Sequence, residues 1–105
     1  MILSTTDELP GRTIERICGL VKGGTVRARA LNRDFSAMVT NIIGGEMEEY
    51  TKLLAESREQ ALDRMKEEAR TLGANAIVGL RFMGTEITPG AAEVMVYGTA
   101  VQVAE

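Results

Sequence analysis

The sequence predicts an α+β subunit, a sheet packed on one long helix with a shorter helix beside it, and three observations carry that prediction. A helical stripe of apolar residues runs from Met47 to Leu72. Runs rich in apolar and β-branched residues flank it on both sides, in the order β-β-α-β-β. The last of these, Glu93 to Val103, is apolar on both faces.

The elements follow in order. Residues 2 to 5 read as a short first strand, closed by Leu9-Pro10-Gly11-Arg12. Proline presets φ and glycine permits positive φ, so this pair punctuates the chain as a turn. Thr13 to Val21 is rich in β-branched residues and reads as extended; Gly23-Gly24 is expected to bend or bulge it before Thr25 to Ala28 resumes. Asp34 reads as the N-cap of a short helix whose stripe is Phe35, Met38, Val39 and Ile42, stopped by Gly44-Gly45. The long helix is predicted from about Glu46 to Leu72. Its buried stripe is Met47, Tyr50, Leu54, Ala61, Met65, Ala69 and Leu72, and Gly73 is the expected residue just past its end. In Ala76 to Phe82 the set Ala76, Val78, Leu80 and Phe82 alternates with Ile77, Gly79 and Arg81, and Pro89-Gly90 lies in the turn of a hairpin. In the final strand Met95, Tyr97, Val101 and Val103 share one face, and Val94, Val96 and Ala100 the other. One helix layer covers one face of a sheet, so a second copy of the chain is the economical cover for the other.

With 105 residues there is room for one core, so residues 1–105 are expected to form a single domain. Hydrophobic residues at 45 % and charged residues at 26 % place the chain among globular proteins. A net charge of −3 without a Lys/Arg block argues against a nucleic-acid partner. No apolar run approaches the roughly 18 residues of a membrane span, and the opening residues lack the form of a signal peptide, so a cytoplasmic location is expected. One cysteine cannot form an internal disulfide, which suits a reducing compartment. Histidine is absent, which removes the commonest general base and the commonest metal ligand together. No paired carboxylates stand out for acid–base work, and none of Lys22, Lys52 and Lys66 stands beside a candidate nucleophile. The expectation is that the chain is not an enzyme.

Gly11-Arg12-Thr13-Ile14, Cys18-Gly19, Arg33-Asp34-Phe35, Gly44-Gly45-Glu46, Tyr50, Gly73-Ala74-Asn75-Ala76-Ile77-Val78-Gly79 and Tyr97-Gly98-Thr99-Ala100-Val101 stand in an order and spacing that resembles the YbjQ family. These are small bacterial and archaeal proteins grouped as heavy-metal-binding. The resemblance spans essentially the whole chain. It implies a dodecin-like subunit, a twisted antiparallel sheet wrapped on one long helix, assembled as a homopentameric ring. It implies no established reaction.

Cys18 is the candidate metal ligand, since soft ions prefer thiolate. A site needs three or four ligands, so Cys18 serves only if shared between subunits on a ring axis. The competing reading makes it a small buried hydrophobe. Met38, Met47, Met65, Met83 and Met95 read as core filling before they read as copper ligands. Gly44-Gly45-Glu46 opens a helix and could hold an anion, but Glu46, Glu48 and Glu49 would repel it. Glu15, Arg16, Arg27, Arg29, Arg33 and Asp34 could line a pore or a seam between subunits, or lie solvated. Three readings remain: a ring that binds a soft metal ion, a metal-free ring scaffold, and a flavin carrier, the last disfavoured by the lack of tryptophan.

Overall fold

The computed structural model describes residues 1–28, 47–88 and 91–104, with the side chains of 27, 28, 47–50, 87, 88 and 91 left aside. The predicted short helix at 34–42, the Gly44-Gly45 stop and the Pro89-Gly90 turn lie outside the described residues. The elements are β1 (Ile2–Leu3), β2 (Ile14–Ala28), α1 (Met47–Thr71), β3 (Ala76–Thr88) and β4 (Ala91–Val103). They form one four-stranded sheet in the order β1-β3-β4-β2 with α1 across one face. The sheet is mixed rather than wholly antiparallel. β4 runs antiparallel to both neighbours, while β1 pairs with β3 in parallel, Ile2 beside Ala76 and Leu3 beside Ile77.

The helix buries Ala61, Met65 and Ala69 against Val21, Ile77, Leu80, Val94, Val96 and Ala100. Its stripe is as expected at Ala61, Met65 and Ala69, whereas Leu72 is 40 % exposed. Ser57 joins the buried row, its hydroxyl satisfied by donating to the Leu53 carbonyl at 2.9 Å. Small side chains along this row bring helix and sheet close. At Gly23 an added Cβ would lie 2.1 Å from the Ala61 carbonyl oxygen and 2.7 Å from the Met65 nitrogen. The expected bend at Gly23-Gly24 is absent, since β2 keeps its register with β4 there, Gly23 beside Val96 and Gly24 beside Met95. Gly23 is where the helix backbone rests on the strand.

The helix ends as the sequence predicts. Gly73 has φ +80, the Ala74 N–H donates to the Ala69 carbonyl and the Gly73 N–H to the Arg70 carbonyl. This is the Schellman pattern, with Ala69 and Ala74 meeting in the core. Asn75 then docks the chain on β4: its side-chain amide donates to the Val103 carbonyl at 2.9 Å and its oxygen accepts the Val103 N–H at 2.8 Å.

The alternation expected in β3 breaks at Gly79, which has φ +62, and the register with β4 slips between Val78 and Arg81. After this bulge Leu80 and Phe82 face the helix side with Ile77, while Arg81 and Met83 face the other side with Ala76 and Val78. In β4 the two predicted faces are correct: Val94, Val96 and Ala100 meet the helix, and Val101 and Val103 lie on the opposite face.

Part of that opposite face is covered by residues near the N-terminus. Ala76, Val78, Val101 and Val103 form a second buried cluster under Ile2, Leu9 and Ile14. Leu9 is held by the predicted turn, closed by the Arg12 N–H donating to the Leu9 carbonyl at 2.9 Å with Gly11 at φ +83. Arg81 donates to the Thr5 carbonyl at 2.9 Å and marks where the cover stops.

Candidate functional site

Beyond Arg81 no described residue covers the open face. Strand pairing puts Ile17, Leu20, Lys22 and Val26 of β2 on this side, in line with Val101, Thr99, Tyr97 and Glu93 of β4. Ile17 is 71 % exposed and Leu20 70 %, with Val26, Met83 and Tyr97 exposed beside them. Met83 and Met95 are direct cross-strand partners here. The exposed apolar side chains on this face are interspersed with Lys22, Arg81, Glu93 and Thr99.

Cys18 lies on the other side. β2 slips register between Ile17 and Gly19, so Cys18 is the extra residue of a bulge. It is half-buried and packs against the helix-side core. Arg16, two residues earlier, also turns to that side, its guanidinium reaching the Gly73 turn at the end of α1.

The soft side chains are therefore separated. Met65 is fully buried in the core, as expected of a methionine filling a gap, whereas Met83 is half exposed and Met95 half-buried on the open face. Met38 and the side chain of Met47 lie outside the described residues. Among the described residues no group of three or more His, Cys, Asp or Glu stands close enough to hold a metal ion. Gly44-Gly45-Glu46, Arg29, Arg33 and Asp34 lie outside the described residues, as does the side chain of Arg27, while Glu15 and Arg16 are exposed. A separate open depression of about 410 Å³ is lined by Met1, Ile2, Arg12, Arg70, Ala74 and Asn75. Arg70 is already paired there with Glu67 at 2.7 Å. None of the singled-out ligands lines it. No helix among the described residues is long and apolar enough to cross a membrane.

The arrangement defines a class: a small α+β protein whose described residues form a mixed four-stranded sheet with one helix across it. The sequence model of the YbjQ family, described as "Putative heavy-metal-binding", matches residues 1–104, and the chain belongs to that family. It is 46 % identical over 101 residues to a UPF0145 protein of Clostridium perfringens, covering 96 % of this chain and 95 % of that protein. A UPF0145 protein of Methanosarcina acetivorans is 43 % identical over 103 residues, 98 % of this chain and 97 % of that one. A crystal structure from Pediococcus pentosaceus, of a protein of unknown function in the DUF74 family, superposes with a TM-score of 0.71 at 18 % identity over 99 % of this chain and 98 % of that one. That likeness is one of fold.

Sequence reasoning found the two-faced character of β4 but missed that the N-terminal segment covers its lower half. Leu9 was visible only as part of a turn. It also missed Asn75, whose surroundings signal no role until β4 lies beside it.

Proposed function

We propose that the chain works as a non-catalytic, cytoplasmic homo-oligomer, a dodecin-like ring of five copies, with any ligand held by groups that come together only between subunits. The observation that carries this reading is the set of exposed large apolar side chains Ile17, Leu20, Val26, Met83 and Tyr97 on one face of the sheet. Two quantities support it. The chain has a radius of gyration of 17.0 Å and extents of 51 × 22 × 15 Å, against about 13 Å for a compact domain of this size. Its accessible surface is 6676 Å², about 900 Å² more than a monomer of this mass exposes. The number five rests on the family resemblance.

For a ligand the family description suggests a soft metal ion. Cys18 is the one thiol, so a site would need Cys18 from several copies. The second reading is a ring scaffold without metal. The packing of Cys18 against the helix-side core, away from Met83 and Met95, favours it. Native mass and metal content measured on one sample separate the readings. The assembly should weigh five times 11.4 kDa. Stoichiometric metal lost in Cys18→Ser supports the first reading. A metal-free ring supports the second, and a single chain in dilute solution overturns both.

A further inference from the structure

The sheet has two outer edges, and they are finished differently. On β2, the Lys22 N–H donates to the Glu68 carboxylate at 3.0 Å, and the Gly24 carbonyl accepts from the Arg64 guanidinium. Arg64 and Glu68 lie one turn apart on α1, so the helix caps this edge and blunts it against pairing. On β3 the lower edge is covered by the N-terminal segment. Ser4 donates its N–H to the Ile77 carbonyl, and the Gly79 and Leu80 N–H groups donate to the Thr6 and Ser4 carbonyls. Beyond Leu80 the cover ends.

The direction of the remaining groups follows from alternation. Lys22 and Gly24 turn outward, so Val21, Gly23 and Thr25 bond to Gly98, Val96 and Val94 of β4. Tyr97, Met95 and Glu93 then turn towards β3 and bond to Arg81, Met83 and Thr85. The backbone N–H and C=O groups of Phe82, Gly84 and Glu86 therefore point off the sheet, in step with the outward N–H of Leu80 two residues earlier. Among the described residues they have no partner. Among the described residues no proline, bulge or helix protects them before the register slip at Glu86–Thr88.

We propose that this edge, Phe82 to Glu86, takes up a strand from a second copy of the chain, so that the sheet runs on across the subunit boundary. The inference rests on the homo-oligomeric reading and assigns its contact surface. The neighbour's matching edge is the end of β2 from Val26 to Ala28, the part beyond the Arg64 and Glu68 caps. Unlike edges meeting head to tail generate a ring when the rotation closes, whereas like edges would pair about a two-fold axis. The exposed side chains of Val26 and Met83 lie on the same open face, so edge pairing also draws the two apolar surfaces together.

Gly84→Pro tests the assignment. The Gly84 N–H points away from β4, so proline removes an outward donor without removing a ladder bond, and a Cβ there meets only the Glu93 carbonyl oxygen at 3.7 Å. The expected result is a native mass reduced to 11.4 kDa with an unchanged far-UV spectrum. Hydrogen exchange of the unaltered protein gives a second reading that needs no variant. The amides of Phe82, Gly84 and Glu86 should exchange at least about a hundredfold slower than free amides in the assembly. An assembled wild type in which these amides exchange freely, or a folded Gly84→Pro that assembles as the wild type does, overturns the edge and leaves the homo-oligomer standing. A wild type that runs as one chain overturns the homo-oligomer and the edge with it.

Discussion

Gly23→Ala adds one methyl group at the place where helix and sheet touch. The new Cβ would lie 2.1 Å from the Ala61 carbonyl oxygen, 2.7 Å from the Met65 nitrogen and 3.2 Å from the Ala61 carbonyl carbon. All three are backbone atoms in the middle of a 25-residue helix, so no side chain can rotate out of the way. Relief requires α1 to lift by more than an ångström. A gap of that size forfeits about a quarter to a half of the dispersion energy along the facing rows. Those rows include Val21, Met65 and Val96, all at 0 % exposure. Overpacking of this kind costs about 1–3 kcal/mol and more where backbone resists, so about 3 kcal/mol is expected. Urea unfolding followed by far-UV circular dichroism, at one fixed protein concentration, should show the midpoint falling by about 2 M. The neighbouring Gly24→Ala is the control. Its Cβ meets only the Val94 carbonyl oxygen at 3.7 Å, and the change should be within about 0.5 kcal/mol or slightly stabilising. If the two variants lose the same stability, or if Gly23→Ala loses less than about 0.5 kcal/mol, the close approach of helix and strand is wrong.

Asn75→Ala should cost about 2–3 kcal/mol in the same assay, because it strands the N–H and C=O of Val103, a residue 1 % exposed. A loss indistinguishable from a surface substitution would remove Asn75 from the account of how β4 is held. Gly79→Ala forces an L-residue to φ +62 and should cost about 1–2 kcal/mol without disturbing assembly, read by urea midpoint and native mass together. Leu20→Glu places a charge on the open face at a side chain 70 % exposed in the single chain. Native mass should fall to that of one chain while the circular dichroism spectrum is retained, and an intact assembly would move the contact surface elsewhere.

The sequence made some features legible because they are local. The Schellman end at Gly73, the Leu9-Pro10-Gly11-Arg12 turn and the stripe through Ala61, Met65 and Ala69 depend on residues within a few positions of each other. The features that escaped depend on what lies across the sheet. Gly23-Gly24 reads as a bend because glycine permits one, but the requirement is contact with Ala61, far along the chain. The faces of β3 were misassigned because a strict period of two takes no account of the bulge that Gly79 allows. The parallel pairing of β1 with β3 is likewise non-local, and two residues carry no sign of it.

The same distinction bears on the heavy-metal description. A metal centre is a local cluster of ligands in space, and the described chain offers the opposite: Cys18 on the helix side, Met83 and Met95 on the open face, with the sheet between them. Among the described residues, Cys18 thus lies on one side of the sheet and the cross-strand pair Met83 and Met95 on the other. Assembly through the open face and the β3 edge would crowd Met83 and Met95 against a neighbour without moving Cys18 to that side. A ring that binds metal through Cys18 therefore needs its axis on the helix side of β2, near the bulge at Ile17–Gly19. A ring whose axis lies on the open side has no thiol to offer. Locating the symmetry axis relative to the sheet decides between the two, independently of any metal analysis.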